Sequence, residues 1–500
     1  MRKKRLIYNT VSALVNEFIM LICDFILPRQ ILLAYGSDVN GLITSITQFL
    51  GFIALTEMGV GAVVKSALYK PLATNDEVEI SRITKSARLF FNKIGRVLLL
   101  YIVVLCAIFP LITNSIFGYV YIIPLIIAIS ISSVSQYYFG IVNQLILAAD
   151  QRAYVNLLLN SASMIVTTVV SVLLMKYGMG IQLVKFASSV ILLVKPIGMA
   201  IYVKKHYVID KKIDLPYEPI KQKWNGIAQH FAAFVLSHTD VIVLTTLSTL
   251  KSVSIYNIYY MVVAGIRRLL TTAMTGVDAF FGNMYAKNDP ALQRHFAMYE
   301  WIMHTGVTLL FSVTALLICP FISVYTRGVN DTNYIYPLFG ALLVAAYGAY
   351  CIRLPYNTMV LAAGHYKETQ ASAIIEAVLN VVISVILVKW LGLYGVAIGT
   401  LVAMLYRSCY LAYYLSKAIM CRPFVNYLRH LVVDAIVILA VVLSTKWLIT
   451  DVTGYLSWIL LAIKVFAIAA VEVIIVNWFV YRTELNDSIN HFLKRTKRNK

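Results

Sequence analysis

Nine basic side chains stand inside long apolar stretches, and five of them are the deep candidates: Lys195, Arg267, Arg268, Arg353 and Arg407. A Lys or Arg at the centre of a membrane-spanning helix costs about 2.5–3.5 kcal/mol on insertion scales, so each is a candidate functional group. Such a charge either pairs with an acid of the membrane interior or binds a ligand of opposite sign. Arg267 and Arg268 lie near the middle of the apolar stretch 253–283. Helix neighbours point about 100° apart, so at least one of the two is expected to face inward. Arg353 precedes Pro355 by two residues and Lys195 directly precedes Pro196, where a kink frees carbonyls. Arg29 is near enough to a span end to snorkel. The chemistry this set offers is anion binding, because a guanidinium fork matches phosphate oxygens. Pairing with a membrane acid stays open for each of them.

The acids of the apolar stretches are Glu17, Asp24, Glu57, Asp240, Asp278, Glu376, Asp434 and Glu472. Glu17 and Asp24 are seven residues apart, within about 20° of each other on a helix, and share one stripe. That stripe, with Asp240, is the candidate site for a coupling H⁺ or Na⁺; a salt bridge is the competing reading. Tyrosines cluster at Tyr256, Tyr259 and Tyr260 and again at Tyr406, Tyr410, Tyr413 and Tyr414. An interfacial aromatic belt explains most of them, and sugar stacking is the alternative. The six cysteines and eight histidines show no metal-site spacing, so neither a metal nor a cofactor is expected. No phosphate-binding loop, zinc motif or nucleophile elbow occurs, and the longest outer segment, near 323–334, is too small for a catalytic constellation. The chain reads as no enzyme.

These residues need helices to hold them. Sixty per cent of the 500 residues are apolar and 13% charged, and the mean hydropathy is +0.78. A soluble domain carries about 25% charged residues, so most of this exterior faces something other than water. The net charge of +20 then reflects the positive-inside bias rather than nucleic-acid binding. Stretches of about 20 apolar residues predict an all-α integral membrane fold with fourteen spans. They lie near 10–34, 39–66, 95–114, 119–148, 154–176, 180–203, 225–248, 253–283, 299–322, 335–363, 369–391, 393–416, 427–449 and 455–480. The opening MRKKR and its apolar run read as the first span, not a cleaved signal peptide. With the N-terminus inside, the inner segments hold 29 Lys and Arg. The outer loops hold only Lys176, Lys251, Arg327, Lys389 and Lys446. Both termini are therefore expected in the cytoplasm.

The chain also repeats itself at an offset near 214. Asn143-Gln-Leu-Ile-Leu-Ala-Ala-Asp150 matches Asn357-Thr-Met-Val-Leu-Ala-Ala-Gly364, and Val172–Gly178 resembles Val385–Leu391. Asp24 meets Asp240, and Asn75-Asp76 meets Asn288-Asp289. A six-helix unit has an even number of passes, so both copies run the same way. Two lobes related by a pseudo-twofold along the membrane normal follow, with a cleft between them. The expected division is 1–210 for the N-lobe, 211–224 for a linker, 225–418 for the C-lobe, and 419–500 for two extra helices with a basic tail.

Asp24-Phe-Ile-Leu-Pro-Arg29, Tyr35-Gly36, Asn40-Gly41-Leu42, Glu57-Met-Gly59-Val-Gly61-Ala62-Val-Val-Lys65 and the Asn357–Gly364 turn carry a resemblance. The chain resembles the Wzx-type oligosaccharide-lipid flippases of the multidrug/oligosaccharidyl-lipid/polysaccharide (MOP) exporter superfamily. The resemblance implies a bacterial cytoplasmic-membrane protein that moves an undecaprenyl-diphosphate-linked oligosaccharide from inner to outer leaflet. The cargo would be a capsule, exopolysaccharide or O-antigen unit, carried by alternating access among membrane lipids. A lipid II or spore-wall precursor flippase is the nearest alternative, and a drug/cation antiporter the next. On this reading reporter fusions at residue 215 give cytoplasmic activity; external activity there overturns the assignment of sides.

Overall fold

The computed structural model describes residues 2–56, 59–113, 117–218, 227–274, 276–449 and 452–482. These form eighteen α-helices joined by short 3₁₀ and π turns, and no strand occurs among them. Among the described residues eleven helices or joined helix pairs are long and apolar enough to cross a membrane, which makes the chain a multi-pass membrane protein. Three of the fourteen expected stretches are not separate members of this described set. The stretch 39–66 carries a 3₁₀ turn at Phe52–Thr56, 225–248 holds the helix Ile227–Leu247, and 253–283 falls on two helices, Leu250–Ala273 and Val277–Ala286.

The helices divide into two compact units, 1–257 with 329–332, and 258–328 with 333–500. The first holds α1 (Arg2–Gly51), α2 (Val60–Thr74), α3 (Glu77–Ile112), α4 (Tyr119–Ser135) and α5 (Ile141–Ala149). It continues with α6 (Ala153–Lys176), α7 (Ile181–Leu192), α8 (Val194–His206), α9 (Ile227–Leu247) and the first turns of α10 (Leu250–Ala273). Within α1 the backbone leaves helical geometry at Gly36 (φ 83°, ψ 179°), so 2–35 and 37–51 are two helices joined there. A positive φ is cheap only for glycine. The new helix start is capped by Asp331, whose carboxylate accepts from Ser37 N and Ser37 Oγ, both at 2.6 Å. At one end of this unit Arg5, Arg152 and Tyr207 converge on Asp150, at 3.1, 2.8 and 2.6 Å. Burial and that carboxylate push the Tyr207 phenol above its ordinary range. The linker folds back on α3, where Lys85 Nζ donates to Ile213 O at 2.5 Å and Ser86 to Glu218 at 2.6 Å. Arg5, the turn at 150–152, the start of α3 and the linker thus meet in one unit.

The second unit holds the rest of α10, then α11 (Val277–Ala286), α12 (Leu292–Tyr325), α13 (Pro337–Ile352), α14 (Leu354–Ala362), α15 (Gln370–Leu391) and α16 (Leu393–Tyr414). It ends with α17 (Val425–Thr445) and α18 (Tyr455–Val480), which pack on α12 around Leu317, Val437 and Val465. Outer faces stay apolar: Leu100, Val103, Ile463 and Phe479 are exposed, as lipid contact requires. Inside, small and hydroxylic residues bring helices together, as where Asn380 donates to Thr400 at 3.0 Å.

The internal repeat is written in the backbone. Left-handed residues recur at Asn75 and Asn288, and at Gln151 and Gly364, each pair 213 apart. The nine-residue helices α5 and α14 are offset by the same 213.

The α15–α16 hairpin is the tightest approach in the second unit. A Cβ on Gly395 would sit 2.5 Å from the Leu387 carbonyl carbon, and one on Gly399 2.9 Å from Ser384 N. Helix propensity favours Ala over Gly by about 1 kcal/mol, whereas overpacking costs about 1–3 kcal/mol. Gly395→Ala is therefore expected to lower the unfolding midpoint of the purified protein. Gly306→Ala, where nothing lies within 4 Å, should leave it unchanged or raise it. A stabilised Gly395→Ala contradicts this packing.

Candidate functional site

Arg353 ends α13 and caps α14, and Pro355 sits in the first turn of that second helix. Proline's missing N–H suits a helix start, and the break lets one side chain project where two helices meet. One Nη of Arg353 donates to Glu376 of α15. The other oxygen of Glu376 lies 3.8 Å from Arg407 Nε of α16. Arg407 also donates to Thr369 O at 2.8 Å and to Ser372 Oγ. Two guanidiniums thus share one carboxylate, and all three groups are buried.

Arg267 joins from α10 through aromatic rings. Its Cζ lies 5.3 Å from the Tyr350 ring centroid and 5.5 Å from Tyr347, and its Nη2 reaches Tyr260 OH at 3.4 Å. Arg353 lies 4.3 Å from the same Tyr350 ring, which therefore holds two cations. Each such contact is worth about 0.5–2 kcal/mol. Three guanidiniums set against Glu376 leave a surplus of two positive charges, framed by tyrosines. Such a centre suits an anion better than a cation.

Of the other predicted residues, Arg268 is half-buried on α10. Arg29, after Pro28 of α1, and Lys195, in the first turn of α8, are half-buried in the first unit. Glu17 and Asp24 are half-buried on α1. Asp240 of α9 is buried and accepts from Tyr256 OH at 2.7 Å. Glu57 lies outside the described residues.

Two features escaped the sequence reading. Tyr350 is one turn before Arg353, a Tyr-x-x-Arg spacing that places ring and guanidinium on one helix face. The second is a cavity of about 780 Å³ in the first unit, bordered by Thr47, Phe91, Ser132, Gln136, Gln144 and Phe234. That lies within the range of about 300–1,000 Å³ of small-molecule sites. The π turn Gln136–Gly140 shapes it. Gln136 folds over Gly140, where a Cβ would meet its Oε1 at 2.3 Å, and reaches Gln144 at 3.1 Å. The polar run Ser130–Gln136 inside an apolar stretch was the available signal.

The architecture belongs to a known class of membrane fold, one shared by flippases and drug transporters. The structure of the lipid II flippase MurJ in an inward closed conformation superposes with a TM-score of 0.70 at 15% identity, covering 96% of this chain and 100% of that one. An outward-facing multidrug resistance MATE family transporter of the MOP superfamily gives 0.53 at 13% identity, covering 81% and 93%. The Vibrio cholerae MATE transporter VcmN in its bent form gives 0.53 at 13%, covering 87% and 98%. No protein-family model matches the chain, and no curated protein matches its sequence. At such identities the likeness establishes the fold.

The two kinds of contact at this centre differ in consequence. Glu376→Gln removes the carboxylate between two buried guanidiniums, a loss of about 3–5 kcal/mol. Arg267→Ala loses ring contacts of about 0.5–2 kcal/mol. Unfolding of the detergent-purified protein should therefore fall much further for Glu376→Gln; equal losses contradict the assignment of Glu376 as the shared counter-ion.

Proposed function

We propose that the chain is a flippase for an undecaprenyl-diphosphate-linked oligosaccharide, moving it from the inner to the outer leaflet of a bacterial cytoplasmic membrane. The observation that carries this is the charge surplus at Arg267, Arg353 and Arg407 against Glu376. A drug exporter for cations would meet like charge there. Arg267, held by rings and a hydroxyl, can turn its N–H groups to phosphate oxygens without abandoning a carboxylate. Arg268 supplies a further base nearby in sequence, and Lys195 and Arg29 are the proposed substrate contacts of the first unit.

In the mechanism, two lobes rock about the bound diphosphate while the prenyl tail stays in lipid. The cargo's charge moves outward with an inside-negative potential, about 2.3 kcal/mol per charge per 100 mV. Glu17, Asp24 and Asp240 are the proposed sites for a coupling H⁺ or Na⁺. Both termini lie in the cytoplasm, and the glutamine-lined cavity offers amides to sugar hydroxyls. A lipid II flippase is the second reading, favoured by the higher TM-score with MurJ than with the two transporters. Both readings use the diphosphate and differ in the sugar.

Arg267→Ala should abolish surface polysaccharide at normal membrane protein level, with the lipid-linked unit accumulating inside. Arg267→Lys should lose most activity, because an ammonium cannot make the bidentate contact. Accumulation of lipid II instead selects the second reading. Full export from Arg267→Ala with normal protein defeats the anion site.

A further inference from the structure

A second buried polar group lies in the same unit, at residues the transport mechanism above does not use. Three hydrogen bonds run in series across three helices. Asp434 Oδ2 of α17 lies 2.6 Å from His304 Nδ1 of α12. His304 Nε2 lies 2.9 Å from the hydroxyl of Tyr356 on α14. That hydroxyl lies 2.6 Å from Glu300 Oε1, one turn before His304 on α12. All four side chains are buried. The outer oxygens have donors of their own: Thr308 Oγ1 donates to Asp434 Oδ1 at 2.7 Å, and Arg422 Nη1 to Glu300 Oε2 at 2.6 Å.

The protons of this chain can be counted. Each of the three bonds needs one. With both carboxylates ionised and His304 neutral, the four side chains carry two, one on the imidazole and one on the phenol. The geometry therefore holds one more. Arg422 donates twice to Glu300, and the phenol donates to the same carboxylate. His304 Nε2–H then donates to the phenol oxygen, and the extra proton lies between Nδ1 and Asp434. With it, Arg422 balances Glu300 and His304 balances Asp434, so the cluster is neutral. Without it, a lone pair faces a carboxylate oxygen at 2.6 Å and a net negative charge is left buried.

We infer that Asp434, His304, Tyr356 and Glu300 form a proton-binding site whose loading fastens α12, α14 and α17 together. When the proton leaves, one bond of the series must open. Either Asp434 separates from His304, or His304 turns its remaining N–H to Asp434 and Tyr356 can serve only one of its two neighbours. Tyr356 is one turn beyond Arg353 on the nine-residue helix α14. Loosening that helix shifts the guanidinium held by Glu376, so proton release is linked to the anion centre. This linkage, unlike the proton site itself, rests on the transport reading.

Other titratable groups face the series. His430 of α17 stacks on His304 with centroids 4.7 Å apart, its Nε2 is 3.8 Å from Glu300 Oε2, and its Nδ1 is 2.8 Å from Tyr481 OH. Tyr427 packs edge-on to Tyr356 at 5.2 Å and interacts with Cys409 of α16, and Arg429 lies over the Tyr481 ring at 5.0 Å. From α18 the facing group is the neutral Asn477, bonded to Trp301 and Thr305.

Asp434→Asn tests the count, because a carboxamide N–H supplies the third proton permanently and can donate to a neutral His304. Protons bound by the detergent-purified chain are measured by potentiometric titration from about pH 5 to 9, around the ordinary histidine range. The D434N variant should exchange one proton fewer than the wild type. In parallel, ¹⁵N-histidine NMR of the wild type, assigned with His304→Gln, should show the His304 resonance moving with pH. Equal proton counts, or a His304 signal that does not move, overturn the site even if D434N folds poorly. Neither readout needs transport. Export by the wild type should vary with pH and export by D434N should not; a D434N profile matching the wild type overturns the linkage. A wild type that binds the proton but exports no lipid-linked sugar defeats the transport reading and leaves the proton site standing.

Discussion

A charge inside hydrocarbon has to be answered within a few ångströms, because no water is there to solvate it. Glu376 is where that constraint acts most strongly in the second unit. Its two oxygens face Arg353 and Arg407, residues on different helices, and so fix α13, α14, α15 and α16 relative to one another. Arg267 then has no share of that carboxylate and is held by the faces of tyrosines instead. Ring faces are weaker partners than carboxylates, and that difference is what leaves Arg267 able to exchange partners. Two of these bases are thus committed to the fold, and the half-buried Arg267 is more lightly held.

The same constraint governs the backbone. At three helix breaks a side chain or an immediately following helix answers the freed groups. The start at Ser37 is capped by Asp331, the π turn at Gln136–Gly140 precedes α5, and Arg353 joins α13 to α14. The two shorter continuations, α5 and α14, stand at equivalent places of the repeat, and each carries an asparagine at its matched position, Asn143 and Asn357. In the first copy the break borders a largely apolar cavity that Gln136 and Gln144 also line; in the second it presents an arginine. The repeat has kept the interruption and changed what it carries.

Helix α14 connects the two polar groups of the second unit. Its first residues hold Arg353 against Glu376, and Tyr356, one turn on, enters the series that ends at Asp434. A nine-residue helix with a break at its start is a small body, and Tyr356 and Arg353 stand one turn apart at that start. Helix α17, outside the six-helix repeat, supplies Asp434 to that series, and His430 and, from α18, Asn477 stand beside it. Their packing on α12 gives these added helices a connection to the repeat that goes beyond covering it with apolar surface.

By itself, the sequence determined that this is an all-helical chain of the membrane, because hydropathy over about 20 residues reports directly on the cost of contact with lipid. It also determined the repeat, since the asparagines and glycines that tolerate left-handed turns are visible as letters. Arg267, Arg353, Arg407 and Glu376 were legible as buried charges for the same reason. Which base met which acid was not, because Arg353 and Glu376 are 23 residues apart on different helices and pairing depends on how those helices turn. Glu300 and His304 were passed over because they stand at the start of a span, where a polar residue carries no signal in one dimension. Only the packing of α12, α14 and α17 brought them against Tyr356 and Asp434, and only then did the number of bonds exceed the number of protons.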